Sequence, residues 1–157
     1  MKRTAPRSPA MRPATKQRLR LWLRLLRTTR LVEAELRERL RARFDTTLPR
    51  FDVMAALYRA EKGLKMSEIS RLLLVSNGNI TGIVERLVAE GTVVRVSVAG
   101  DRRATLVRLT EKGREEFAVM AAEHAAWIGE LFAVLPEEEV ADMIGMFDRF
   151  PRKERTP

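Results

Sequence analysis

Two short runs hold the residues with the clearest chemical use, Ser76-Asn77-Gly78-Asn79-Ile80-Thr81-Gly82 and Gly100-Asp101-Arg102-Arg103. An asparagine amide offers a donor and an acceptor side by side, the pattern that pairs with the major-groove edge of adenine. Serine and threonine hydroxyls bond to bases or phosphates. An arginine at the tip of a turn can enter a narrow, electronegative minor groove. The competing reading gives the asparagines to capping and turn formation, Asn77 above all, and leaves the arginines as solvated turn charges.

Catalysis is poorly served by the same sequence. There is no cysteine and one histidine, His124, so a thiol nucleophile, a thiolate metal site and a histidine cluster within one chain are all excluded. Gly78 to Gly82 is not a phosphate loop, because no Gly-Lys-Ser/Thr follows. Glu137-Glu138-Glu139 reads as an acidic helix start rather than a carboxylate pair. No acid, base and nucleophile can be grouped, so an enzyme is not expected, and neither a cofactor nor a metal is implied.

The elements that would position the two runs follow from periodicity. Residues 1–14 carry Pro6, Pro9 and Pro13 among Lys2, Arg3, Arg7 and Arg12, and read as a flexible basic arm. Thr15 is placed to cap a long helix over 16–43, with Leu19, Trp22, Leu26, Val32, Leu36 and Leu40 near a 3.6-residue period and Glu33–Arg37 and Glu35–Arg39 spaced as ion pairs. A helix of this length outruns so small a core, which predicts packing against a second subunit. Phe51, Met54, Ala55, Leu57 and Tyr58 mark a second helix ending near Gly63. Ser67 is a plausible cap for a short third helix, and Ser76 or Asn77 for a fourth that Gly91 stops. Thr92–Val98 and Ala104–Leu109 read as two strands around a Gly100-Asp101 turn. Thr110 caps a long helix with Phe117, Met120, His124, Trp127 and Leu131 on one stripe. Pro136 opens a last helix whose buried face is predicted to be Val140, Ile144, Phe147 and Phe150.

The expected fold is mainly α with one β-hairpin: a winged helix-turn-helix core over residues 48–109, flanked by helical segments over 15–47 and 110–157. The charge distribution fits a polyanion partner. The chain of 157 residues has a formal charge of +9, and residues 1–43 hold 14 of its Lys and Arg against three Glu. No run reaches the roughly 20 apolar residues of a membrane span, and Arg20 and Arg24 interrupt the apolar stretch after the basic N-terminus. A cytoplasmic, non-membrane protein is therefore expected. The alternative from another class is a basic interaction module that binds nucleic acid or anionic membrane without reading sequence.

Residues 66–109 resemble the DNA-binding core of the MarR (multiple antibiotic resistance regulator) family. The resemblance is carried by Met66-Ser67-Glu68-Ile69-Ser70, Val75–Thr81, Arg86-Leu87 before Glu90-Gly91, and Asp101-Arg102-Arg103-Ala104 before Val107-Arg108-Leu109-Thr110 and Gly113. It implies a homodimer on a palindromic double-stranded operator, with dimerisation assigned to the helical segments over 15–47 and 110–157, a recognition helix over 77–90, and a DNA-contacting set of Ser67, Ser76, Asn77, Asn79, Thr81, Arg86, Arg102 and Arg103. In that set Asp101 steadies Arg103 for the minor groove and Arg102 meets phosphate. Many members place a basic residue where Gly82 stands, so this chain departs from the family there. The resemblance further implies a repressor released by a small aromatic or phenolic effector, possibly a CoA thioester. Trp22, Phe51, Met54, Tyr58, Phe117, Met120 and His124 are the candidate pocket, and Arg20, Arg24 and Arg27 are candidate partners for an acidic group.

Overall fold

A computed structural model describes residues 12–98 and 101–150, with the side chains of Asn77, Val98 and residues 101–104 outside the described set. The order is α1 (Pro13–Phe44), α2 (Leu48–Arg59), α3 (Met66–Leu73), α4 (Asn77–Ala89), β1 (Val93–Val98), β2 (Asp101–Leu109), α5 (Glu111–Phe132) and α6 (Glu137–Phe147). The mainly helical, winged helix-turn-helix expectation holds. One core joins Leu36 and Leu40 of α1, Phe51 to Leu57 of α2, Ile69, the α4 stripe Ile80-Val84-Leu87, Val93, Val107 and Leu109 of the hairpin, and Phe117, Met120 and Trp127 of α5. The spacing of Ile80, Val84 and Leu87 puts all three on one side of α4, so burying them fixes which face of that helix stays in solvent.

The hairpin is antiparallel, with Val93 opposite Leu109, Arg95 opposite Val107, and a register shift between Ser97 and Val98 that pairs Val98 with Asp101. Leu64 docks against its outer edge: its N–H donates to the Val107 carbonyl at 2.9 Å, and its carbonyl accepts from the Val107 N–H at 2.8 Å. The chain can approach this closely because Gly63 takes φ +91°. A Cβ there would stand 2.8 Å from the Val107 oxygen.

A dense set of bonds joins the end of α4 to the start of α5. The Thr110 hydroxyl donates to the Gly91 carbonyl at 2.7 Å and accepts from the Gly113 N–H at 3.0 Å. The Thr110 N–H donates to the Thr92 carbonyl at 3.0 Å. The buried Thr92 hydroxyl donates to the Leu87 carbonyl at 3.1 Å, and Lys112 Nζ donates to the Glu90 carbonyl at 2.8 Å. Thr110 is thus the N-cap that the sequence predicts, and Gly91, at φ +75°, is the left-handed stop after α4.

Several boundaries differ from expectation. Arg12, not Thr15, is the N-cap of α1, because Pro13 occupies its first turn, where a missing N–H costs nothing. The expected arm therefore ends earlier, and residues 1–11 lie outside the described residues. Lys65, not Ser67, precedes α3; the Glu68 carboxylate accepts from the Lys65 N–H at 2.6 Å and does the capping. Ser76 is the N-cap residue of α4 but makes no side-chain cap bond. Asp101 already belongs to β2 rather than to a turn, and Gly100 lies outside the described residues. The expected Glu33–Arg37 and Glu35–Arg39 pairs both form, each at 2.7 Å. The largest correction is α6, none of whose residues is buried by the described residues. Ile144, Phe147 and Phe150 are all exposed, and only Val140 is partly covered. Leu19, Leu21, Trp22, Leu23 and Leu31 of α1 are exposed as well. Among the described residues, no single helix is long and apolar enough to cross a membrane.

Gly113 is the tightest point of the fold. A Cβ there would lie 1.9 Å from the Thr92 carbonyl oxygen, a backbone atom that cannot step aside. Gly113→Ala should lower unfolding free energy in urea by about 1–3 kcal/mol, as overpacking does, whereas Gly129→Ala, with open space around it, should not destabilise the protein.

Candidate nucleic-acid interface

Helix α4 is built to show one side to solvent. At about 100° per residue, Gly78, Gly82, Glu85 and Ala89 lie opposite the buried Ile80-Val84-Leu87 stripe. Asn79 and Arg86, seven residues apart, share one flank, and Thr81 sits on the other. Ser76, Asn79, Thr81 and Arg86 are all exposed, as is Ser67 on α3. The structure therefore brings the predicted contacts of α4 to one accessible surface at the helix-turn-helix. Arg86 has no ion-pair partner among the described residues, which leaves its guanidinium available to an external anion. The predicted roles of Asp101, Arg102 and Arg103, and of the Asn77 amide, lie outside the described residues. The backbone does place positions 101–103 at the turn end of the hairpin, where β2 begins.

A cleft of about 690 Å³ runs along the Asn79–Arg86 flank, between α4 and the α1–α2 corner. Its floor is apolar, with Leu73, Val75, Ile80 and Ile83, and its rim carries Arg37, Arg50, Asp52 and Arg86. Arg50 forms a short ion pair with Glu90 that ties the start of α2 to the end of α4, and its Nε is buried without a partner. Burial holds the Asp52 carboxyl above the usual carboxylate range. The nearby Glu33 adds to that, and Arg37 opposes it. The sequence marked Arg37 only as the ion-pair partner of Glu33, and Arg50 and Asp52 gave no signal beyond their charge beside the apolar residues of α2.

The residues proposed from sequence as an effector pocket are arranged differently. Phe51, Phe117, Tyr58 and His124 do come together, as packed rings. Phe51 stacks on His124 at 4.5 Å and meets Phe117 at 5.3 Å, while Tyr58 meets Phe117 at 5.0 Å. They fill their space with each other. Met54 and Met120 are buried and border a smaller, polar cavity of about 310 Å³. Trp22 is 56% exposed and sits 14 residues before Leu36, about 21 Å along the helix, so one chain does not bring it to the rings. Arg20, Arg24 and Arg27 line a separate open groove on α1. Between α1 and α5, Arg39 donates to Glu35 at 2.7 Å and to Glu130 at 2.6 Å, and lies 6.0 Å from the Trp127 ring centre.

Packing against Phe51 pushes the His124 pKa below its ordinary value through burial. A base whose folded pKa is depressed costs no stability while neutral, and stability is lost as pH falls through its unfolded pKa, near 6.5. The melting temperature should therefore fall as pH is lowered from 7.5 to about 5.5. His124→Phe, which keeps a ring, should flatten that dependence. An equal slope in both proteins would show that His124 does not set it.

The arrangement matches known proteins. A model of the MarR family matches residues 44–104. The chain is 35% identical over 100 residues to the HTH-type transcriptional regulator MhqR of Bacillus subtilis (strain 168), covering 63% of this chain and 68% of that protein. A crystal structure of a MarR family transcriptional regulator from Silicibacter pomeroyi superposes with a TM-score of 0.74 at 30% identity, covering 88% of this chain and 95% of that one. A mutant MarR from E. coli, solved in complex with operator DNA, gives a TM-score of 0.72 at 25% identity over 86% of this chain and 96% of that one. With the helix-turn-helix, the hairpin and these relatives agreeing, the chain belongs to the MarR family of DNA-binding transcriptional regulators and is not an enzyme.

Proposed function

We propose that this protein is a homodimeric repressor that reads a palindromic operator and is released by a small aromatic or phenolic acid or its CoA thioester. The observation that carries the reading is the flank of α4, where exposed Asn79 and Arg86, which has no ion pair among the described residues, border both open solvent and the cleft. Residues 48–109 serve as the DNA-binding unit. Two copies dimerise through 15–47 and 110–157, whose uncovered leucines and phenylalanines supply the apolar area a stable interface needs. Two recognition helices then stand about one DNA turn, roughly 34 Å, apart. Asn79 reads adenine, while Ser67, Ser76, Asn77, Thr81, Arg86 and Arg102 bond bases or phosphates, and Arg103, steadied by Asp101, enters the minor groove. Such a protein works in the cytoplasm, where the chromosomal DNA is.

The cleft is the better effector site than the ring cluster, because it is empty space with an apolar floor and a cationic rim. An aromatic carboxylate seated there meets Arg37, Arg50 or Arg86 and presses on α1 and α4 together. Its binding favours a form with the wrong half-site spacing and shifts the population off DNA.

The test is fluorescence anisotropy on DNA from upstream of the protein's own coding sequence, against a shuffled duplex, in about 0.15 M salt. The native duplex should bind about a thousandfold or more tighter. Asn79→Ala should cost about 1–3 kcal/mol on the native duplex only, whereas Arg86→Ala should weaken both duplexes alike. Equal affinity for both duplexes, vanishing with salt, would contradict base reading.

A further inference from the structure

We propose that Glu85 is a base-reading residue of the recognition helix, accepting a hydrogen bond from the amino group of a cytosine in each half-site. The proposal rests on the DNA-reading role argued above and goes beyond it, by adding an acidic residue to a surface otherwise read through amides, hydroxyls and guanidinium groups.

The outermost ridge of α4 faces solvent along its whole length. That ridge carries Gly78, Gly82, Glu85 and Ala89, opposite the buried stripe. Neither glycine is required by the fold: both have helical backbone, and a Cβ at either would meet nothing within 4 Å. Glycine in a helix interior nonetheless weakens it. The gain is a bare first stretch of helix that can lie close to a groove floor. Glu85 carries the first long side chain on this ridge. It is exposed and has no hydrogen bond or ion pair among the described residues. Positions three and four residues to either side are Thr81, Gly82, Val88 and Ala89, so no helix-stabilising cation is within reach. A carboxylate with no partner among the described residues, carried into a groove walled by phosphates, is repelled unless it finds a donor. The floor of the major groove offers exocyclic amino groups, and a carboxylate accepts from cytosine N4. Asn79 and Glu85 lie six residues apart, about 9 Å along the helix, which is close to three base-pair steps of about 3.4 Å.

The experiment is selection of bound duplexes from a randomised library by full-length wild type, Glu85→Gln, Glu85→Ala and Asn79→Ala, with melting curves to confirm that each variant is folded. Wild type should enrich a cytosine within about three base pairs of the adenine that Asn79→Ala loses. Glu85→Gln should move that preference to adenine, since a side-chain amide pairs with adenine. Glu85→Ala should lose the preference there and keep every other position. Changing the cytosine to thymine should weaken wild type about tenfold or more and Glu85→Ala about twofold at most. If wild type enriches a motif and both Glu85 variants enrich the same bases at every position, the assignment of Glu85 is overturned while sequence reading stands. If wild type enriches no motif, sequence reading fails and the role of Glu85 fails with it.

Discussion

The seam between Gly91-Thr92 and Thr110–Gly113 is the constraint on which the rest of the molecule depends. Backbone meets backbone there with no side chain between, because Gly113 leaves the room that the Thr92 carbonyl occupies. Thr110 closes the seam twice, donating to the Gly91 carbonyl and capping α5. The end of the recognition helix is thereby tied to the start of the long helix that leads to the rest of the chain. Any rotation of α5 relative to the core must move α4 with it or break this set of bonds. The link supplies the rigid element that coupling between a ligand cleft and a DNA surface requires.

A second tie meets α4 at the same end. Arg50, at the start of α2, pairs with Glu90 just past the last turn of α4. Ser76 adds no cap bond at the other end of α4, where the buried Ile80 anchors the first turns in the core. The cleft lies along the Asn79–Arg86 flank, between α4 and the α1–α2 corner. A ligand there touches α1, α2 and α4 together.

Much of this was legible in the sequence, for identifiable reasons. The stripe Ile80-Val84-Leu87 declared the buried side of α4 and so its exposed side. The β-branched run Thr92 to Val98 declared the first strand of the hairpin, and Thr110 declared the cap of α5. The failures were of a different kind. Periodicity says that Ile144, Phe147 and Phe150 share a face, but not what covers it, and among the described residues nothing does. Aromatic residues on facing helices suggest a pocket, yet rings that stack at 4.5 to 5.3 Å leave no room for one. The cleft beside α4 is bordered by Arg37, Arg50 and Asp52 of the successive helices α1 and α2 and by Arg86 of α4. Only tertiary packing brings these charges together.

Hydroxyl-radical footprinting on the protein's own upstream DNA tests the central claim most directly, that a pair of recognition helices reads a two-fold operator. The account predicts two protected stretches on one face of the duplex, centred about one helical turn apart, symmetric about their midpoint and lost together when the duplex is shuffled. Protection spread evenly along the duplex, surviving shuffling and fading only with salt, would contradict it and mark the protein as a basic surface that holds DNA without reading it.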